Sequence, residues 1–538
     1  MSLRDCEILE LNELCNAVVD SNLTEAQRQR LESWLATSEE ARAYYIKTMD
    51  LSAALAHRAA EMQMEAPDAA GRSLWFLQFA RWHWISLAAA AILGITIVWE
   101  LRPKLINPTA VAEPMEYVAR ITGENGVVWK AGDEFKRGSF LHRGQRIEIS
   151  QGFAEITFDS GAVVLLEGPA AFDVNSAWAS TLRRGAVNVN VPHQAIGFRV
   201  STSAVDFDDL GTEFSMIADG QGGADVVVLK GEVQASPRGH EDPEPVVLHA
   251  NESRRFAESG MSRAQDEEEL LARFSEPISL DRLTESTNFA HWSFDELMNG
   301  AFPAKVVGFP GGDLALTLQS KSPESLQLAS IKGMRNRALH FDGELVGKAK
   351  FPGLSSNSEH TIAFWVKVPK DSLLSDAYSM VAWRANEGKL DSRPVHIAWN
   401  RDPSEGPLGA VRTDFSGGHA IGLTSLRDGR WHHICVIFLP GDDPATPVQV
   451  KQYVDGRLES NMITPGPKRS IGGNLNQVDN GTGTDVLWLG CRLGGTQPKR
   501  DRFSGDIDEL FIADRGLEPA QVVQLMENAD MIQSTPDD

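Results

Sequence analysis

The most apolar stretch of the chain lies at residues 82–101 and carries no formal charge over residues 84–99. An α-helix over residues 82–99 would be about 27 Å long at ~1.5 Å per residue, which is close to the ~30 Å thickness of a bilayer core. Trp82 and Trp99 lie near its two ends, where aromatic side chains meet the membrane interface. The pattern therefore predicts one transmembrane helix over residues 82–101, in preference to a buried helix of a soluble domain or a cleaved signal peptide.

Residues 1–65 show helical periodicity. In the later part of this segment, apolar side chains recur every three or four positions and form one stripe, with Tyr44, Tyr45, Leu51 and Leu55 as its largest members. Such short helices can pack on one another, or the stripe can be offered to another protein. We therefore predict a small α-helical unit and take these four side chains as candidate partner-binding residues.

Beyond residue 116 the hydrophobic period changes to two, as in FAEITF at residues 153–158 and HTIAFWVKV at residues 360–368. Turns containing glycine, aspartate or proline separate these segments. Short alternating strands with regular turns predict two β-rich domains, the second of them a two-sheet sandwich.

The predicted organisation is therefore multidomain. In order, the segments are a helical unit (1–65), a juxtamembrane linker (66–81), the transmembrane helix (82–101), a tether (102–116), a first β domain (117–256), an acidic and partly helical linker (257–290), a second β domain (291–525) and a disordered tail (526–538).

Charge and cysteine content narrow the function classes. The chain has 51 Lys and Arg against 74 Asp and Glu, and its formal charge of −23 argues against non-specific binding to nucleic acid. The four cysteines form no CxxC pair, so a cysteine zinc site is not predicted. Cys435 and Cys491 would lie on the same side of the membrane, and whether they form a disulfide is left open.

Four segments of the first β domain follow one another in a recognisable order. They are GAVVLLEGPAAFDV (161–174), LRRGAVNVNV (182–191), GFRVSTSAVDFDDLGTEFSM (197–216) and VVVLKGEVQAS (226–236). The series resembles the extracytoplasmic domain of FecR-like transmembrane regulators, and the segment from Leu210 to Phe214 resembles that family's L-G-T-x-F element. Gly211 is expected to permit a tight turn. The acids that precede it, Asp206, Asp208 and Asp209, are expected to be solvated, with cation binding as the alternative.

The segment DSNLTE at residues 20–25 resembles part of the anti-sigma segment that such regulators carry ahead of their membrane span. The resemblance implies an inner-membrane protein with a cytoplasmic N-terminus and exported C-terminal domains. It also implies an extracytoplasmic-function sigma factor as the cytoplasmic partner.

The second β domain contains HWSFDE (291–296), ALHFDGE (338–344), DGRWHHICVIF (428–438) and RFSGDIDELFIADRGLEPAQV (502–522). This ordered set resembles a concanavalin A-like, laminin-G-like jellyroll. The resemblance implies an all-β jellyroll that binds a glycan or an envelope protein. Hydrolases on this fold commonly carry two acids in an E-x-D-x-x-E strand, and the run from Asp506 to Glu509 lacks that spacing, so catalysis is not predicted.

Two pairs of residues are candidate sites in the second β domain. Trp383 and Trp399 are candidates for stacking on a sugar ring, with core packing as the alternative. Asp506 and Asp508 are expected on one face of a strand, where their carboxylates could help to bind Ca²⁺, with a structural turn as the alternative.

These observations support two hypotheses of different classes. In the first, the chain is a single-pass membrane regulator that senses an extracytoplasmic ligand, preferably a glycan, and signals to a sigma factor. In the second, it is an envelope-anchored adhesion module that binds a glycan or a protein without signalling.

Overall fold

The structure of the chain is a computed structural model that describes a defined set of residues. These are residues 116–130, 135–238, 244–257, 259–264, 278–282, 287–309, 314–354, 358–372, 378–384, 394–415, 418–443, 446–459, 462–465, 486–492 and 502–528, with the single positions 28, 30, 31 and 273.

The chain divides into two compact units, residues 1–111 and residues 112–538, and nearly all described residues belong to the second. The candidate partner-binding residues Tyr44, Tyr45, Leu51 and Leu55 lie outside the described residues, and so does the predicted span. No helix within the described part of the chain is long and apolar enough to cross a membrane.

The first β domain, residues 117–282, contains fourteen strands among its described residues. They are β1 (Tyr117–Trp129), β2 (Phe140–His142), β3 (Gln145–Phe158), β4 (Val163–Ser176), β5 (Ala179–Asn190), β6 (Arg199–Ser201), β7 (Val205–Asp209), β8 (Glu213–Ala218), β9 (Ala224–Lys230), β10 (Glu232–Pro237), β11 (Val246–His249), β12 (Ser253–Ala257), β13 (Gly260–Ser262) and β14 (Asp281–Arg282).

These strands form one sheet whose main path runs β11-β10-β7-β6-β5-β4-β3-β1-β14, with β8 pairing β5 and β9. Period-two alternation places Ile156, Val164 and Val189 in a fully buried core. Two strands, β13 and β14, fall inside the segment that the sequence assigns to the linker. The linker is therefore partly built into this sheet, because two-residue and three-residue strands leave too short a pattern to read.

The turn at Leu210–Thr212 has the tight geometry that the sequence predicts. Gly211 has a φ of +100°, in the left-handed region that favours glycine. Asp209 is fully buried, and it accepts hydrogen bonds from the backbone N–H of Gly211 at 2.5 Å and of Thr212 at 3.0 Å. The expectation of a solvated aspartate is wrong for Asp209, because its carboxylate satisfies the turn's backbone donors.

The second β domain, residues 289–527, contains the remaining strands and two short helices. The strands are β15 (Phe289–Trp292), β16 (Ala301–Phe302), β17 (Lys305–Val307), β18 (Leu316–Gln319), β19 (Ser330–Lys332), β20 (Arg337–Asp342), β21 (Val346–Lys350), β22 (His360–Lys367), β23 (Ser379–Arg384), β24 (Pro394–Trp399), β25 (Ala410–Phe415), β26 (Gly418–Ser425), β27 (Trp431–Asp443), β28 (Thr446–Val454), β29 (Arg457–Leu458), β30 (Met462–Pro465), β31 (Val486–Leu489) and β32 (Ser504–Ala513), and the helices are α1 (Pro323–Gln327) and α2 (Pro519–Glu527).

Two antiparallel sheets make this domain a sandwich, as the sequence predicts. The first sheet runs β17-β15-β32-β22-β27-β28-β29, with β20 also pairing β32, and the second runs β16-β18-β21-β31-β23-β24-β25-β26-β30. One apolar core contains residues of both sheets, including Phe364 and Ile512 from the first and Val381 and Ile397 from the second. The last helix reaches Glu527, two residues beyond the predicted end of the domain.

Candidate functional site

Trp383 and Trp399, the predicted sugar contacts, are both fully buried in the core of the sandwich. The indole N–H of Trp383 donates to the carbonyl oxygen of Leu354 at 2.8 Å, and the Arg427 guanidinium lies 5.2 Å from the centroid of the Trp399 ring. Neither ring presents a face to solvent, so the stacking role does not fit this structure. Core packing, the alternative, accounts for both.

Asp506 and Asp508, the predicted calcium ligands, each have protein partners. Asp506 contacts Nδ1 of His340 at 2.7 Å and lies 3.6 Å from the Lys367 ammonium. Asp508 accepts the backbone N–H of Arg335 at 3.0 Å, and burial raises its pKa to about 7. Both carboxylates are therefore already engaged by groups of the protein.

A structural role therefore explains the positions of Asp506 and Asp508 better than Ca²⁺ binding does. No group of three or more His, Cys, Asp or Glu side chains within the described ranges is arranged to hold a metal ion. The two cysteines of this domain, Cys435 and Cys491, are buried free thiols. Burial raises the pKa of the Cys435 thiol, which keeps the sulfur protonated and unreactive.

A row of side chains that the sequence did not single out crosses the second sheet. Strand register places Lys348 opposite Trp488, Trp488 opposite Ala382, Ala382 opposite His396 and His396 opposite Asp414. The neighbouring residues Val381, Val395 and Ile397 lie in the core, so this row belongs to the face directed away from it. The Lys348 ammonium lies 5.1 Å from the centroid of the partly exposed Trp488 ring.

The middle of this row is a chain of hydrogen bonds. Ser379 Oγ lies 2.7 Å from Nε2 of His396, and Nδ1 of His396 lies 2.8 Å from Oδ2 of Asp414. Burial lowers the pKa of His396 despite its carboxylate neighbour, so the ring is neutral. The Ser379 hydroxyl then donates to Nε2, and Nδ1–H donates to Asp414.

Asp414 remains ionised in this buried setting. Burial alone would raise its pKa, but the hydrogen bond from His396 and the charge of Arg412 outweigh burial and hold the pKa well below its usual range. Nε of Arg412 donates to Oδ1 of Asp414 at 2.8 Å, and the same guanidinium pairs with Glu405. The charges in this network therefore compensate one another.

The connectivity matches that of serine hydrolases, in which an aspartate orients a histidine that activates a serine. Here the Ser379 hydroxyl is fully buried, and His396 is 2% exposed. A substrate has no route to this oxygen through the described residues, so the network is better suited to fixing the positions of three adjacent strands than to attacking a carbonyl group. Sequence alone could not reveal it, because the three residues meet only through strand register.

A second feature is the junction between the two β domains within the same compact unit. Gln449, Lys451 and Tyr453 alternate along β28 and share one face, which is directed at the first domain. The Lys451 ammonium lies 2.5 Å from Oδ2 of Asp159, and the Tyr453 hydroxyl donates to the Asp159 carbonyl oxygen at 2.9 Å. The Gln449 side chain accepts the N–H of Tyr117 at 2.8 Å.

Apolar contacts reinforce this junction. Tyr117 of the first domain belongs to the same buried cluster as Cys435, Leu517 and Val522 of the second, with Phe140 packed against it. The two domains therefore share a small core of their own.

Comparison with known families agrees with this two-domain architecture. A family model described as FecR protein matches residues 145–234, which run from the start of β3 to the middle of β10. A family model described as the concanavalin A-like lectin/glucanases superfamily, of the laminin-G type, matches residues 342–523. No curated protein shows significant similarity to the chain.

Several solved structures are similar to parts of the chain. Domain 4 of an extracellular arabinanase from Geobacillus stearothermophilus, solved with arabinotriose, is 21% identical over 45% of this chain and 99% of that chain, with a TM-score of 0.29. A candidate anti-sigma factor from Parabacteroides distasonis is 20% identical over 22% of this chain and 59% of that chain, with a TM-score of 0.20. The sialidase of Trypanosoma rangeli is 10% identical over 76% of this chain and 78% of that chain, with a TM-score of 0.28.

At these TM-scores no functional residue is carried over from the solved structures. The family matches fall on the segments whose motifs resemble the two families in sequence. The chain therefore carries a FecR domain followed by a concanavalin A-like domain of the laminin-G type.

Proposed function

We propose that the chain is a single-pass inner-membrane regulator that senses a glycan outside the cytoplasm and signals to an extracytoplasmic-function sigma factor. The observation that carries this proposal is the FecR match over residues 145–234. In this proposal the apolar stretch at residues 82–101 supplies the membrane anchor, and residues 1–65, for which the sequence predicts helices, supply the sigma-binding element.

The junction supports a sensing role for the concanavalin A-like domain. A ligand that changes this domain acts on the FecR domain through the Lys451–Asp159 pair and the shared apolar cluster. The sensing model requires a coupling free energy between the two domains, and these contacts are where it would arise.

A neutral glycan is the favoured ligand. The chain has a formal charge of −23, so a polyanionic glycan would have to bind against the overall field of the protein. The concanavalin A-like family match supports a carbohydrate in general.

Co-purification tests the signalling half of the proposal. The full chain, expressed in its host with an affinity tag, is expected to retain an extracytoplasmic-function sigma factor. The double variant Tyr45→Ala/Leu55→Ala is expected to weaken that retention, because loss of a large apolar anchor commonly costs ~2 kcal/mol or more. Leu297→Ala, an exposed apolar side chain of the second β domain, is the matched control. Absence of any sigma factor from the wild-type preparation would contradict the signalling role.

Reporter fusions test the topology. A reporter that is active only outside the cytoplasm is expected to work when it is fused after Pro108 and to fail after Glu65. The reverse pattern would remove the sensing model. Exported β domains without sigma-factor capture would favour the adhesion module, the second hypothesis.

A further inference from the structure

A cavity of about 550 Å³ lies between the FecR domain, the linker strand β14 and the start of α2. This volume is within the ~300–1,000 Å³ range that is typical of small-molecule sites, which occur preferentially at domain junctions. Its lining comes from three separate parts of the chain, so an occupant would contact both β domains at once.

The floor of the cavity is the outer face of the FecR sheet. Strand register gives two parallel rows across β3, β4 and β5: Glu155–Leu165–Asn188 and Thr157–Val163–Asn190. Each row has an apolar residue in the middle and hydrogen-bonding side chains on both sides. The floor is therefore an apolar strip with polar margins.

The polar margins retain unused hydrogen-bonding capacity. Asn188 donates through Nδ2 to Ser215 Oγ at 3.1 Å, which leaves its amide oxygen available. The Asn190 side chain is exposed and has no hydrogen-bond partner among the described residues. Two amides on adjacent positions of one strand face can therefore both bind an occupant.

The charged side chains that line the cavity are compensated. Both oxygens of Glu155 are engaged, Oε1 by the Thr122 hydroxyl at 3.0 Å and Oε2 by the Arg282 guanidinium at 2.7 Å. Ile278 and Leu280 add apolar surface from the linker. Glu518 lies at the start of α2, where the helix N-terminus compensates its charge. The cavity therefore favours an uncharged occupant over an ionised one.

We infer that this junction cavity is the sensing site and that it binds a neutral, hydroxyl-rich small molecule of the size of a mono- or disaccharide. Val163 and Leu165 receive the apolar face of the sugar ring, while Asn188 and Asn190 bind its hydroxyl groups. The inference rests on the proposed sensing function. Because the FecR sheet, residues 278–282 and the start of α2 all line this cavity, occupancy stabilises the junction between the two domains.

Titration of the full chain in detergent tests this assignment. The probes are cellobiose, maltose and xylobiose, with galacturonic acid as a charged probe. At least one neutral disaccharide is expected to bind, and galacturonic acid is not. In Asn188→Leu/Asn190→Leu the affinity is expected to fall about tenfold or more, because each lost hydrogen bond contributes ~0.5–1.5 kcal/mol. Gln234→Leu, a half-buried amide on β10 outside the cavity, is the matched control and is expected to bind normally.

Hydrogen exchange on the wild-type chain gives a second readout that needs no variant. Bound disaccharide is expected to slow amide exchange at residues 278–282 and at Glu518 and Ala520. Normal affinity in the double asparagine variant, or protection confined to β23–β25, would overturn the inference. If Trp488→Ala abolishes binding while the asparagine variant binds normally, the sensing function stands and the site lies on the face of the second sheet. If no disaccharide binds while the sigma factor is retained, both the inference and the glycan ligand are wrong, and the regulator role remains.

Discussion

The ion pair at the domain junction makes a sharp quantitative prediction. Lys451 and Asp159 have side chains that are only 11% and 14% exposed. Replacing Lys451 with Met keeps the aliphatic stem and removes the charge, which leaves the Asp159 carboxylate buried without its cation. Breaking a buried pair from one side costs about 3–5 kcal/mol. We expect Lys451→Met to lower the free energy of unfolding by about 3 kcal/mol at pH 8.

Two comparisons separate the charge from simple loss of packing. The double variant Lys451→Met/Asp159→Asn removes both charges, so it is expected to recover much of the lost stability. Burial already raises the pKa of Asp159 in the wild type, and loss of Lys451 removes an interaction that lowers it. A folded-state pKa above the unfolded value means that folding favours the protonated form. The deficit of Lys451→Met is therefore expected to shrink as the pH falls from 8 to 5.

Urea denaturation followed by tryptophan fluorescence measures these differences. The wild type, Lys451→Met and Lys451→Met/Asp159→Asn are compared at pH 8, 6.5 and 5. A deficit below about 1 kcal/mol, the typical value of a surface pair, would refute the reasoning, because it would mean that solvent reaches Asp159. An equal deficit in the single and double Lys451 variants would refute it in another way, because packing would then explain the loss.

Three further predictions concern buried groups elsewhere. Burial raises the pKa of Asp209 to about 7, so this carboxyl group takes up a proton on folding. The stability that it contributes is therefore lost as the pH rises from about 4 to about 7. Asp209→Asn is expected to remove a slope of up to ~1.4 kcal/mol per pH unit from the free energy of unfolding measured across that range. Asp414→Asn is expected to cost about 3 kcal/mol in chemical denaturation, because Arg412 and His396 lose a charged partner, whereas the half-exposed Asp428→Asn should cost under about 0.5 kcal/mol. Mass spectrometry after alkylation is expected to find Cys435 unmodified in the native protein and modified after unfolding, and a disulfide to Cys491 would contradict the structure.

The sequence predicted those features that repeat locally. Alternation marked the segment HTIAFWVKV, which forms β22 at His360–Lys367, and the L-G-T element predicted the turn at Gly211. Period-two patterning cannot say which tryptophan faces the core when both faces of a strand are covered. That is why Trp383 and Trp399 appeared to be candidates for sugar contact, while Trp488 did not.

The junction was not predictable for a related reason. The pattern of β28 shows that Gln449, Lys451 and Tyr453 share one face, but nothing local states that this face meets Asp159, nearly three hundred residues earlier. The cavity could not be predicted either, because its lining comes from three segments that meet only in the folded chain. Pairings over such distances are set by tertiary packing and not by local preference.

Strand β32 has a consequence for when the second β domain can fold. It lies between β15 and β22 in the first sheet, and it also pairs with β20. His291 of β15 and Glu509 of β32 are in contact across a separation of 218 residues. At ~5–20 residues per second, the ribosome finishes β32 on the order of 10–40 s after β15. The first sheet therefore lacks its central strand until nearly the whole chain has been made, so this domain can close only after β32 has left the ribosome.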